Sequence, residues 1–234
     1  DMLPTGLSNG SDPQEGEIEG RGVTTACSNC PKFIYVVRDG RDVLTSFYHH
    51  LSNQHAQDGG FQGTFQQFFE QFIQGKVAYG KWTHHLISWM TPIQQQQQQD
   101  MNSDATTTTS MDHPTILLVR YEDLQQDLKG QILRIAHFLN LNPSHVDHYV
   151  DHVAERASFA YMQQNQHLFH PISVRWKPNY NFIRLGTVGD YQSLFTQEHQ
   201  EQFMDSIVAD FGRESENAIP SWFYQIGFAD QSTR

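Results

Sequence analysis

Two continuous apolar runs, Phe33 to Val37 and Thr115 to Val119, constrain this chain more than any other feature. Runs of this length without polar alternation suit strands covered on both faces, as in a parallel sheet. Each run is followed by helical punctuation. After the first, Arg38 ends the strand, Asp39 is placed to cap a helix, and Asp42 falls in the first turn of a helix running toward His50. After the second, Tyr121, Glu122 and Asp123 lead into a helix whose apolar face is Leu128, Ile132, Ile135, Ala136 and Leu139. Strand–helix–strand–helix order predicts an α/β fold built on a parallel sheet with right-handed crossovers.

The intervening segments divide clearly. Residues 1–31 are rich in Gly, Ser, Thr and Glu without a sustained period, and read as an irregular N-terminal connection to a domain over 32–228. Phe61, Phe65, Phe68, Phe69 and Phe72 recur at helical spacing, with Gly75 as the stop, and a second helix carries Tyr79, Trp82, Leu86 and Trp89. Residues 91–114 hold six consecutive glutamines and four consecutive threonines. That composition buries too little apolar surface to offset ordering, so a disordered low-complexity insertion is expected there. Beyond Ser158 the chain reads as irregular up to residue 182. Thr196 is placed to cap a final helix bearing Phe203, Ile207, Val208 and Phe211, closed by Gly212.

Charge narrows the partners. With 15 basic residues against 26 acidic ones, the formal net charge of −11 excludes a general nucleic-acid binder. Any anionic ligand must be gripped by a few local arginines. No apolar run approaches the roughly 20 residues of a membrane span, so no membrane partner is expected. Cys27 and Cys30 form a lone pair of thiols ahead of a strand, without the further ligands a zinc site needs, and read as reduced thiols of an intracellular protein. His145, His148 and His152 share one helical face near Asp151, and read as a solvated polar face. No metal is expected.

Two segments carry candidate anion chemistry. Phe182 to Tyr191 sets Arg184 beside a turn with Gly186 and Gly189, followed by Asp190 and Tyr191. Glycines three apart let backbone N–H groups approach an anion, and a guanidinium can fork two phosphate oxygens. The other segment is Lys32 to His50. Ligands of an open parallel sheet sit beyond the carboxyl ends of its strands, where Arg38 and Tyr121 fall, with Ser46 two helical turns further on. A phosphate held by Arg38 and Ser46 fits this pattern. An Arg38–Asp42 ion pair beside a solvated serine fits it equally well.

Taken together, Lys32 to His50, Gly75 to Trp82 (G-x-V-x-Y-G-x-W), the Tyr121-Glu122-Asp123-Leu124 turn and the Arg184 to Tyr191 element resemble the cytosolic sulfotransferase family. The resemblance implies a three-layer, P-loop-NTPase-like architecture and a cytoplasmic enzyme. Such an enzyme moves a sulfuryl group from 3′-phosphoadenosine 5′-phosphosulfate to a hydroxyl or amine of a small-molecule acceptor. Position by position, it implies that Arg38, Ser46, Arg184 and Gly186 hold the 3′-phosphate and that Tyr121 contacts adenine. Ser158 and Phe159 match a T-S-F segment whose phenylalanine stacks on the base.

The chain also departs from the family pattern. Leu185 replaces a lysine beside Arg184, Ala157 a threonine and Tyr191 a tryptophan. Gln192 and Gln197 break the family's dimer motif, which argues against a family-type dimer. No lysine precedes Lys32 and no histidine precedes His49. The family's phosphosulfate loop and catalytic histidine therefore have no counterpart ahead of the first strand, and the sequence reads as N-terminally incomplete. Little or no turnover is expected of these 234 residues alone. The alternative is a truncated or degenerate relative that only binds 3′-phosphoadenosine nucleotides. A nucleotide kinase is excluded by the lack of a G-x-x-x-x-G-K-[ST] loop.

Overall fold

A computed structural model describes residues 31–102, 115–212 and 219–226, with side chains at 98–102 excepted. The two apolar runs form β1 (Phe33–Val37) and β2 (Ile116–Arg120), which pair in parallel with Phe33 opposite Ile116 and Val37 opposite Arg120. The sheet is not covered on both faces along its whole length. Tyr35 and Val37 are buried, whereas Ile34 and Val36 on the opposite pleat are 40% and 51% exposed. Val119 pairs with Val36 and is fully buried, so the second face is covered at β2 and left open at β1 among the described residues.

The connection from β1 to β2 is helical. Asp39 caps α1 (Gly40–Ser52), its carboxylate accepting from the Arg41 amide at 2.8 Å. Thr64 and Gln67 close a capping box on α2 (Phe65–Ile73), and Gly75 follows with φ +70°. Phe61 lies ahead of that helix. Next comes α3 (Trp82–Asn102), a helix that runs on through Pro92.

That helix corrects two expectations. Tyr79 precedes it, in a left-handed turn with φ 73°, and is 94% exposed. Residues 91–102, expected to belong to a disordered insertion, are helical, and residues 103–114 lie outside the described residues. The physical reason is a contact with a segment distant in the chain: the Gln96 side chain accepts from the Thr115 amide at 3.0 Å and donates to the Ile116 carbonyl at 3.3 Å. A glutamine that serves the start of β2 gives the polar helix an anchor that composition does not reveal.

After β2 the chain forms α4 (Tyr121–Gln126), α5 (Leu128–Phe138), α6 (Pro143–Ala157) and α7 (Phe159–Gln164). The stretch beyond Ser158, expected to be irregular, thus begins with a helix. Thr196 caps α8 (Gln197–Phe211), and a capping box forms because the His199 ring nitrogen accepts from the Thr196 amide at 3.1 Å. Val208, expected on its apolar face, is exposed. One further short helix follows, α9 (Ser221–Gln225).

The main core joins Tyr35 and Val37 to Leu44 of α1, the phenylalanines of α2, Leu86, Met90 and Ile93 of α3, and Phe203, Ile207 and Phe211 of α8. On the other side of the sheet α5 packs against β2, and α6 packs against α5. Helices therefore flank a parallel sheet on both faces, as strand–helix alternation predicts. Among the described residues no helix is long and apolar enough to cross a membrane.

Candidate functional site

The carboxyl ends of β1 and β2 open into a cavity of about 260 Å³. Arg38 leaves the end of β1, and Tyr121 begins α4 at the end of β2. Ser46 faces the cavity from α1, and Phe159 from the first turn of α7. Arg184 and Gly186 enter from the loop between α7 and α8. Six of the seven site residues named from the sequence thus line one space. Ser158 does not. Its hydroxyl accepts from the Tyr161 amide at 3.2 Å and donates to the Glu155 carbonyl at 2.7 Å, so it caps α7 instead of facing the cavity.

Both guanidiniums are oriented by the protein itself. Arg38 Nη2 donates to the Thr187 carbonyl at 2.8 Å and to the Asp42 carboxylate at 3.2 Å, and its guanidinium stacks 4.3 Å above the centroid of the Tyr121 ring. The Arg38–Asp42 ion pair is therefore formed, and Arg38 lines the cavity with Ser46 all the same. Arg38 Nε is buried and has no hydrogen-bond partner among the described residues. Arg184 Nη2 pairs with the Asp190 carboxylate.

Gly186, at φ +64°, lies against the Phe159 ring; a Cβ there would clash with Phe159 Cδ2 and Cε2. Only glycine permits that approach. The amide of Gly189 behaves differently from the expectation for a glycine turn. It donates to the Asp42 carboxylate at 2.9 Å, so a protein carboxylate and not a bound anion is its partner.

Met162 and Tyr180 line the site without a signal in the sequence. His50, Phe182 and Leu185, which fall inside the two segments read as anion-binding, line it as well. The rings of His50 and Phe182 lie 5.6 Å apart, with Trp176 edge-on to both. Burial pushes the His50 imidazole below its ordinary value. Burial first, and then the nearby Arg184 charge, does the same for His49. Both effects favour neutral rings, which leaves the guanidiniums as the cations of the site. A space with two oriented guanidiniums, a hydroxyl and two aromatic rings fits a phosphate joined to an aromatic base.

Comparison with known proteins is consistent across sequence and structure. A sulfotransferase domain model matches residues 24–102 and 104–214. Sulfotransferase 1B1 of Mus musculus is 32% identical over 178 residues, which cover 74% of this chain and 51% of that protein. Sulfotransferase 1E1 of Homo sapiens is 29% identical over 175 residues, covering 74% of this chain and 52% of its own length. The chain spans about half the length of the curated relatives it matches. Mouse sulfotransferase SULT7A1, crystallised in complex with PAP, is similar with a TM-score of 0.55 at 25% identity, over 80% of this chain and 59% of that one. Retinol dehydratase, solved with androsterone and inactive cofactor PAP, shares the fold with a TM-score of 0.55 at 23% identity, over 81% and 49% of the two chains.

Proposed function

This chain belongs to the sulfotransferase domain family, and from that premise we propose that the cavity holds the 3′-phosphoadenosine portion of 3′-phosphoadenosine 5′-phosphosulfate. The protein then serves transfer of the sulfuryl group to a hydroxyl or amine of a small acceptor, in a cytoplasmic setting. The observation that carries the proposal is the single cavity shared by Arg38 and Arg184. A phosphate dianion there can accept from both guanidiniums and from the Ser46 hydroxyl, with charge-assisted bonds about twice as strong as neutral ones. Tyr121 and Phe159 offer π faces to the base. The complex of mouse SULT7A1 with PAP supports the same class of nucleotide here.

In such a transfer the acceptor atom bonds to sulfur while the bond from sulfur to the bridging phosphate oxygen breaks. The acceptor gives up a proton, and 3′-phosphoadenosine 5′-phosphate departs. The described residues act at the nucleotide end of this reaction. They hold the 3′-phosphate and the base, and so fix where the 5′ end points. No base for the acceptor proton is named among these 234 residues, and we propose that the polypeptide alone turns over little or not at all.

Calorimetric titration tests the nucleotide proposal. Adenosine 3′,5′-bisphosphate binds at least about tenfold more tightly than adenosine 5′-phosphate if two guanidiniums meet the 3′-phosphate. Equal affinities contradict it. Sulfate transfer to a phenol by the 234-residue polypeptide, above a heat-killed control, contradicts the turnover proposal alone.

A further inference from the structure

Asp42 is 1% exposed, yet its carboxylate pairs with an arginine of an anion site, where a negative charge is unfavourable to the ligand. Its bonds account for its presence. Oδ2 accepts from Arg38 Nη2 at 3.2 Å and from the Gly189 amide at 2.9 Å, and Oδ1 accepts from the Tyr191 amide at 2.9 Å. The residue between those two amides is Asp190, whose carboxylate holds Arg184. The Thr187 carbonyl, which takes the other Arg38 bond, precedes the same turn. One carboxylate on α1 thus joins the arginine of the first strand to the turn that orients the arginine of the distant loop.

We propose that Asp42 is a positioning residue for the nucleotide site, fixing the separation of Arg38 and Arg184 so that both reach one phosphate. The proposal rests on the nucleotide reading above and goes beyond it by assigning the spacing to one buried side chain. Asp42 is not a ligand. It accepts hydrogen bonds only, as an ionised carboxylate does, and all three of its donors belong to the protein. Asparagine has the same shape but turns an N–H₂ toward donors, and so breaks at least one of the three bonds.

The test follows two amides and two nucleotides in the same samples. Hydrogen exchange at Gly189 and Tyr191 reports the tether. Calorimetry with adenosine 3′,5′-bisphosphate and with adenosine 5′-phosphate reports the spacing, because only the former carries the 3′-phosphate. The wild-type chain is expected to protect both amides and to prefer the bisphosphate. Asp42→Asn is expected to deprotect the amides, weaken bisphosphate binding about ten- to hundredfold and leave the 5′-phosphate within about twofold. Gly189→Ala, strained at φ +83° while its Cβ meets Gln192 Nε2 at an ordinary 3.8 Å, loosens the same turn from its other end. It is expected to give a smaller loss of the same selectivity, and it decides the matter if Asp42→Asn does not fold. An unchanged preference, or a parallel fall for both nucleotides, overturns the proposal. Protected amides with no bisphosphate preference in the wild type overturn the nucleotide reading and reduce Asp42 to a structural tether.

Discussion

The Arg38 guanidinium stands over the Tyr121 ring, 4.3 Å from its centroid, and so bridges the carboxyl ends of the two parallel strands at the mouth of the cavity. The stacking holds the guanidinium plane while its nitrogens remain free for carbonyl, carboxylate and anion. A lysine of equal charge can neither stack as a plane nor fork two oxygens. Arg38→Lys is therefore expected to weaken adenosine 3′,5′-bisphosphate binding about tenfold or more, with the melting temperature changed little. Calorimetry beside a thermal melt checks it.

Gly186→Ala attacks the aromatic wall. A methyl at this position combines a left-handed φ of +64° with a clash against the Phe159 ring. Phe159 must shift from its present place in the cavity wall. A loss of about 1–3 kcal/mol of stability is expected, with weaker binding of both adenine nucleotides, because the face offered to the base moves. Urea unfolding and calorimetry separate the two effects.

Asp210 makes the opposite case, a buried charge remote from the cavity. Its carboxylate accepts from Lys81 Nζ at 2.7 Å and from the Thr83 hydroxyl, and ties α8 to the start of α3. Asp210→Ala leaves both donors unpaired and is expected to cost about 3 kcal/mol of stability. Nucleotide affinity is expected to stay constant in chain that remains folded, as measured by urea titration and calorimetry on the same preparation.

A surface clasp gives a prediction in pH. Arg175 donates from its backbone amide at 2.8 Å and from its guanidinium at 2.8 and 2.9 Å to Asp58. These bonds lower the Asp58 carboxyl from its ordinary 3.8 to about 2. A carboxyl depressed on folding stabilises the folded state above its unfolded value, and that contribution disappears as pH falls through the folded value. The melting temperature of the wild-type chain is expected to exceed that of Asp58→Asn by a small, constant margin above about pH 5. The margin should shrink between about pH 4 and pH 2, and added salt should reduce it throughout because the pair is exposed. Thermal melts across that range check it.

Sequence legibility followed the range of the forces involved. The strands were readable because a run such as Phe33 to Val37 has one dominant use. The caps at Asp39 and Thr196 were readable because a cap is a contact within three residues. Arg38 and Tyr121 are legible because strand ends are where a parallel sheet presents ligands, Arg184 because it adjoins a glycine turn, and Phe159 through the family resemblance alone. What escaped were long-range contacts. Gln96 stabilises a helical glutamine stretch through the backbone of β2. Asp42, readable only as a first-turn acid or an Arg38 partner, meets amides from the other end of the chain. Ser158 shows the converse, since its local bonds as a cap take the hydroxyl that a motif would give to a ligand.

The central claim is that Arg38 and Arg184 share one phosphoryl group of an adenosine ligand, and a diffraction structure of this chain with adenosine 3′,5′-bisphosphate tests it most directly. The account predicts the 3′-phosphate within about 3 Å of nitrogens from both guanidiniums, with the base against Tyr121 or Phe159. A phosphate touching only one of the arginines, or a nucleotide bound elsewhere, contradicts it.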